Sequence, residues 1–105
     1  MIVEIPVSSE GAQTFVTQLG EVKYRFDVKY NDRSNVWTLD LSEDVSGLVL
    51  FQGVPLVLGQ DILEPYNFEI GRMMVVDMSS RGIDAGPDDL GGRVLLIWFS
   101  PDEVI

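Results

Sequence analysis

The clearest feature of the chain is an alternation with a period of two. Between Val22 and Tyr30 the apolar positions are Val22, Tyr24, Phe26, Val28 and Tyr30, and the polar ones between them are Lys23, Arg25, Asp27 and Lys29. Successive side chains of a strand point to opposite faces, so this pattern predicts a strand with one face in a core and the other in water. Asn31-Asp32-Arg33-Ser34-Asn35 is a run of turn formers. Alternation then returns from Val36 to Leu41, with Trp37, Leu39 and Leu41 on one side and Thr38 and Asp40 on the other. The two stretches predict a β-hairpin.

Further strands are expected at Leu48–Gln52, Arg72–Met78 and Arg93–Phe99, with weaker ones at Ile2–Val7 and Thr14–Gln18. Gly53 and Pro55 are expected to break the ladder after Gln52, because proline has no N–H to donate, and Leu56–Leu58 to resume it. Two single helical turns are expected. Asp61-Ile62-Leu63-Glu64 has the spacing of a capping box before Pro65. Pro87-Asp88-Asp89-Leu90-Gly91 places proline first, acids in the opening turn and glycine at the exit. Short strands separated by turn signals predict an all-β fold, a small antiparallel β-sandwich or partly open β-barrel. A chain of 105 residues allows one domain, 1–105, that buries roughly 65% of its unfolded surface.

Composition narrows the function. The sequence has no cysteine and no histidine. Disulfides, thiolate nucleophiles and zinc fingers are excluded, as are the usual general base and the commonest neutral metal ligand. Ser8, Ser9, Ser42, Ser79 and Ser80 all fall in turns, with no histidine or Ser-x-x-Lys partner to activate them. Asp84, Asp88 and Asp89 share a loop, but their spacing is not that of an EF-hand, and turn formation with helix capping accounts for them. No catalytic, cofactor or metal site is expected. Seventeen acids against seven bases give a net charge of −10, which disfavours binding to phosphate backbones. The bases and rings of Val22–Tyr30 also fall on opposite faces, whereas a stacking platform needs both on one. The longest apolar run, Val94–Phe99, is far below the roughly 20 residues of a membrane span. No basic targeting segment precedes the first strand. The expected setting is a reducing cytosol or a particle assembled there.

The chain is nonetheless 46% hydrophobic. In Val94-Leu95-Leu96-Ile97-Trp98-Phe99 both faces are apolar, whereas a strand of a small sandwich normally turns one face to water. One of the two sets, Leu95, Ile97 and Phe99 or Val94, Leu96 and Trp98, calls for cover, which a neighbouring subunit supplies. The interface candidates are Leu95, Ile97, Trp98 and Phe99, supported by Phe51, Met73 and Met74.

Several stretches taken together resemble a known family. They are Tyr30-Asn31-Asp32-Arg33, Trp37-x-Leu39-Asp40-Leu41, Gly53-Val54-Pro55-Leu56-Val57-x-Gly59-x-Asp61-x-Leu63-x-Pro65-Tyr66, Val75-x-Asp77, and Asp89-Leu90-Gly91-x-Arg93-Val94-x-Leu96. In this order and spacing the chain, from about Gln13 to Phe99, resembles the small baseplate plug proteins of contractile-tailed bacteriophages. The resemblance implies a virion structural protein at the junction of tail tube, hub and spike, with no catalysis and no cofactor. Its partners would be other baseplate, tube, hub or spike chains, and copies of itself in three- or six-fold symmetry. Neither a membrane nor a specific nucleic acid is implied. The residues carrying the pattern, Asn31, Asp32, Arg33, Trp37, Asp40, Pro55, Gly59, Asp61, Pro65, Tyr66, Asp77, Asp89, Gly91 and Arg93, would be structural. The rival reading is a lectin-like or oligonucleotide-binding β-module.

Overall fold

In the computed structural model, residues 2–59, 61–63, 70–79 and 81–101 are described. Seven strands follow one another: β1 (Ile2–Glu4), β2 (Ala12–Leu19), β3 (Val22–Asn31), β4 (Val36–Glu43), β5 (Val49–Pro55), β6 (Arg72–Asp77) and β7 (Val94–Phe99). They form two antiparallel sheets, a four-stranded meander β2-β3-β4-β5 and a three-stranded sheet β1-β7-β6. The all-β expectation holds.

The strict alternation of β3 and β4 pairs as predicted. Phe26 lies opposite Leu41, Val28 opposite Leu39 and Tyr30 opposite Trp37, and every one of these except the half-buried Tyr30 is buried. At the connecting turn the Asn31 side-chain oxygen accepts the N–H groups of Arg33 (3.0 Å) and Ser34 (3.3 Å). Asn35 takes the left-handed conformation at φ 55° that returns the chain, a geometry asparagine tolerates. β2 is longer than its sequence suggested and joins β3 through Gly20-Glu21, with Leu19 opposite Val22. Gly20 has φ 69°, as the first position of a type II′ hairpin loop requires.

The four-stranded sheet presents Tyr24, Phe26, Val28, Trp37, Leu39, Leu41, Phe51 and Val54 to the interior; the other sheet presents Met73, Val75, Val94, Leu96 and Trp98. All belong to one core. Both indole N–H groups are buried and bonded to backbone carbonyls of loops: Trp37 to Gly86 and Trp98 to Ile70, each at 2.9 Å. The large rings thus tether the loops as well as fill the core.

Two sequence expectations are corrected. No helix occurs among the described residues; of the turn expected at Asp61-Ile62-Leu63-Glu64, Glu64 and the Pro65 that follows lie outside them. The Asp61 side chain turns back onto the backbone. Its Oδ1 accepts the N–H of Leu63 (3.1 Å) and the N–H of Met73 (3.0 Å), which fixes a turn against β6. Residues 87–89 form turns, with Asp89 N–H donating to the Gly86 carbonyl and Gly92 N–H to the Asp89 carbonyl. The second correction concerns β5, which does not break at Gly53. Val54 lies opposite Leu39 and Phe51 opposite Leu41, so Gln52 and Gly53 together face the single residue Asp40 in a bulge. Gly53 supplies the positive φ of 67°. Pro55 is the last residue of this edge strand, where a missing donor is tolerated. Leu56–Leu58 is not a strand, although Leu56 N–H still reaches the Trp37 carbonyl at 2.8 Å.

Candidate interaction face

The two sheets differ in what they turn outward. On the four-stranded sheet most outer positions are polar or small: Ala12, Thr14 and Gln18 with Val16 on β2, Lys23, Arg25, Asp27 and Lys29 on β3, Thr38, Asp40 and Ser42 on β4, with Val49 and Pro55 as the apolar outer positions of the edge strand β5. Register places three outer rows on the other sheet. Ile2, Phe99 and Arg72 form one, Glu4, Ile97 and Met74 the next, and Leu95 and Val76 the third. Six of these eight side chains are apolar. Ile2 (57%) and Val76 (36%) are exposed, and Met74, Leu95, Ile97 and Phe99 are half-buried. Met78, just beyond β6, is 62% exposed and continues the row of Met74 and Val76. A contiguous apolar sheet face of this kind is uncommon on the surface of a monomeric domain.

The interface candidates are therefore divided. Leu95, Ile97, Phe99 and Met74 share this outer face. Phe51, Met73 and Trp98 do not; they lie in the chain's own core at 6%, 0% and 1% exposure. Trp37, also buried, and Trp98 offer no flat ring for a sugar to stack on. Lys23, Arg25 and Lys29 lie opposite to Tyr24, Phe26 and Val28 across β3, so bases and rings do not share a face for oligonucleotides.

The residues carrying the family pattern build the frame. Asn31 organises the β3–β4 turn with Asp32 and Arg33 exposed at its tip. Asp40 Oδ1 accepts Gly53 N–H at 2.7 Å and so holds the bulge. Asp61 pins its turn to β6, and Gly59 has φ 76°. Pro65 and Tyr66 lie outside the described residues.

Around Arg93 the pattern closes into a network. Its guanidinium contacts Asp77 Oδ2 and Asp89 Oδ2, each at 3.0 Å, and donates to the carbonyls of Ile83 (2.9 Å) and Asp84 (3.0 Å). One planar fork of donors thereby ties three points of the 78–92 loop to the end of β6. Asp77 also accepts the Ser79 hydroxyl (2.6 Å), the Ser79 N–H (2.9 Å) and the Gly82 N–H (2.9 Å). Asp89 accepts Gly86 N–H at 2.8 Å, and Asp84 accepts Leu58 N–H at 3.0 Å. Gly91, at φ 85°, packs so closely that a Cβ there would lie 2.4 Å from the Val7 carbonyl oxygen. The loop is thus clamped onto the segment following β1. Sequence reasoning placed Asp77, Asp89 and Arg93 in the pattern without seeing that they meet.

This arrangement holds carboxylates ionised instead of poising them for proton transfer. The hydrogen bond from the Ser79 hydroxyl, then backbone N–H groups and the Arg93 charge, hold Asp77 well below the usual carboxylate range against the opposing effect of burial. Asp89 is lowered chiefly by its hydrogen bond from Arg93, and Arg93 is raised in turn. A carboxylate with a depressed folded-state pKa contributes stability that is complete above its unfolded pKa, about 3.9, and is lost as pH falls below it. Asp77→Asn should therefore lower the urea midpoint at pH 7. The gap from the parent chain should narrow steadily as unfolding is repeated from pH 5 down to pH 2. A gap independent of pH would show that the carboxylate charge is not what the loop uses.

A family model described as cyanophage baseplate Pam3 plug gp18 matches residues 2–102. No curated protein matches the chain. The match spans both sheets, the apolar outer face and the Arg93 network, and with it the chain belongs to the phage baseplate plug family.

Proposed function

We propose that the chain works as a plug by seating the outer face of β1-β7-β6 against a neighbouring baseplate chain. Membership of the family carries a structural role in the tail baseplate. The observation supporting the finer reading is the run of Ile2, Met74, Val76, Leu95, Ile97 and Phe99 across three strands, set against a mostly polar outer face on the other sheet. Apolar burial is the main favourable term in such association. A component that must stay seated until the tail contracts needs anchors of this type. Among the described residues of the three rows Glu4 is the one acid and Arg72 the one base, so these rows carry no net charge that would oppose docking. The neighbours would be tube, hub or spike chains. Copies arranged about the tail axis with three- or six-fold symmetry would each present the same patch. Assembly would take place in the host cytoplasm.

Ile97 sits at the middle of the face, between Glu4 and Met74. Ile97→Asp should leave a folded chain, at a cost of about 1–2 kcal/mol for the lost apolar burial, and reduce its incorporation into particles at least tenfold. Val45→Asp, at a position 93% exposed on the β4–β5 turn, should enter particles normally. Quantitative mass spectrometry of purified particles reads both. Normal incorporation of the Ile97 variant would sink the assignment of this face.

A further inference from the structure

The four-stranded sheet ends in an open edge at β2. Each sheet has two edges, and three of the four are blunted. β1 is only three residues long. β5 carries two register shifts and ends in Pro55. The outer edge of β6 is met by the preceding segment, through the Asp61–Met74 bridge and Ile62 N–H donating to the Met73 carbonyl at 2.9 Å. β2 has none of these devices. Ala12-Gln13-Thr14-Phe15-Val16-Thr17-Gln18-Leu19 is eight residues long, pairs without interruption to β3, and contains no charge, proline or glycine. Natural sheets protect such edges because their unpaired backbone groups template another strand.

The direction of those groups follows from one bond. Tyr30 N–H donates to the Gly11 carbonyl at 2.9 Å, which turns the Gly11 backbone toward β3. In an antiparallel pair the orientation alternates, so Gln13, Phe15, Thr17 and Leu19 also face β3. Ala12, Thr14, Val16 and Gln18 then direct N–H and C=O away from it. Among the described residues no backbone bond from outside the sheet reaches these four. All four are exposed.

Charge selects the partner. Lys29 lies opposite Ala12, Arg25 opposite Val16 and Lys23 opposite Gln18, so three of the seven bases of an acidic chain stand one strand in from the edge. Asp27 among them is engaged by Thr14 (2.6 Å) and Arg25 (3.5 Å), while neither lysine has an ion pair among the described residues. A strand added to β2 would lie about 10 Å from β3, within combined reach of Lys29 and a glutamate across the short side chain of Ala12. We infer that the β2 edge accepts an extended segment of a partner chain, bearing acidic side chains at alternate positions on its outer face, by strand addition. This does not depend on the apolar face of the other sheet.

The test uses the purified chain and two synthetic eight-residue peptides, one alternating valine with glutamate and one with lysine in place of every glutamate. The glutamate peptide should slow amide hydrogen exchange at Ala12, Thr14, Val16 and Gln18, and bind at least tenfold more tightly than the lysine peptide. Val16→Pro removes one outward donor without touching the β3 ladder, and should weaken binding at least tenfold. No protection at these amides, or equal binding of the two peptides, would overturn the inference. So would protection of the same amides in the concentrated chain without peptide, which would make the occupant a second copy.

Discussion

Replacing Trp98 by alanine should destabilise the chain by about 3–5 kcal/mol, a large part of the roughly 5–15 kcal/mol that holds a typical domain together. The side chain is 1% exposed and lies between Val3 and Met73 in the rows of the three-stranded sheet. Its removal opens a cavity that neighbouring strands cannot close without losing register. It also leaves the Ile70 carbonyl without its 2.9 Å donor. The urea midpoint and the near-UV circular dichroism of the folded chain measure the loss. The milder Trp98→Phe separates two roles for this residue. As a core residue it should accept phenylalanine with a partial loss of stability and still enter particles. If Trp98 were a docking anchor, Trp98→Phe would keep its stability and fail to assemble.

That separation could not be made from the sequence, for a specific reason. In Val94–Phe99 both faces are apolar, and a period of two states which residues share a face, not which face meets the core. The tie is broken by pairing: Val3 and Met73 flank Trp98 on the buried side, and Glu4 and Met74 flank Ile97 on the other. Met73 and Phe51 were misplaced for the same reason, since adjacent apolar residues give no parity. Where polar residues mark the second face, as Lys23, Arg25 and Lys29 do on β3, the hairpin and its core side were fully legible. The β2–β3 hairpin escaped because a single glycine in Gly20-Glu21 is a weak signal. The Asp40 bulge and the Arg93–Asp77 contact depend on partners 13 and 16 residues apart in the chain, brought together only by the sheet. The family pattern contained Asp40, Gly53, Asp77, Asp89 and Arg93 as residues, but their geometry resides in the fold.

The same distinction governs the glycines, and it yields the other large effect. Gly53 has φ 67° with nothing within 4 Å of where a Cβ would sit. Alanine there meets only the conformational preference against positive φ, about 1 kcal/mol. Gly71, at φ 118°, opens β6 directly against the end of β7. A Cβ there would lie 2.1 Å from the Phe99 carbonyl oxygen and 3.2 Å from Trp98 Nε1. The obstacle is backbone, so no side-chain rotation relieves it. Gly71→Ala must either part β6 from β7 or turn Gly71 out of its conformation, and both disturb the Trp98 bond to Ile70. The expected loss is about 3 kcal/mol or more, from backbone strain and overpacking together. Because the strain falls on the strand pair that carries Ile97, Phe99 and Met74, Gly71→Ala should also lower incorporation into particles, whereas Gly53→Ala should not. Urea unfolding of the two variants side by side reads the difference. Equal midpoints would show that β7 yields to the added methyl group, and that the face it carries is softer than the close packing at Gly71 requires.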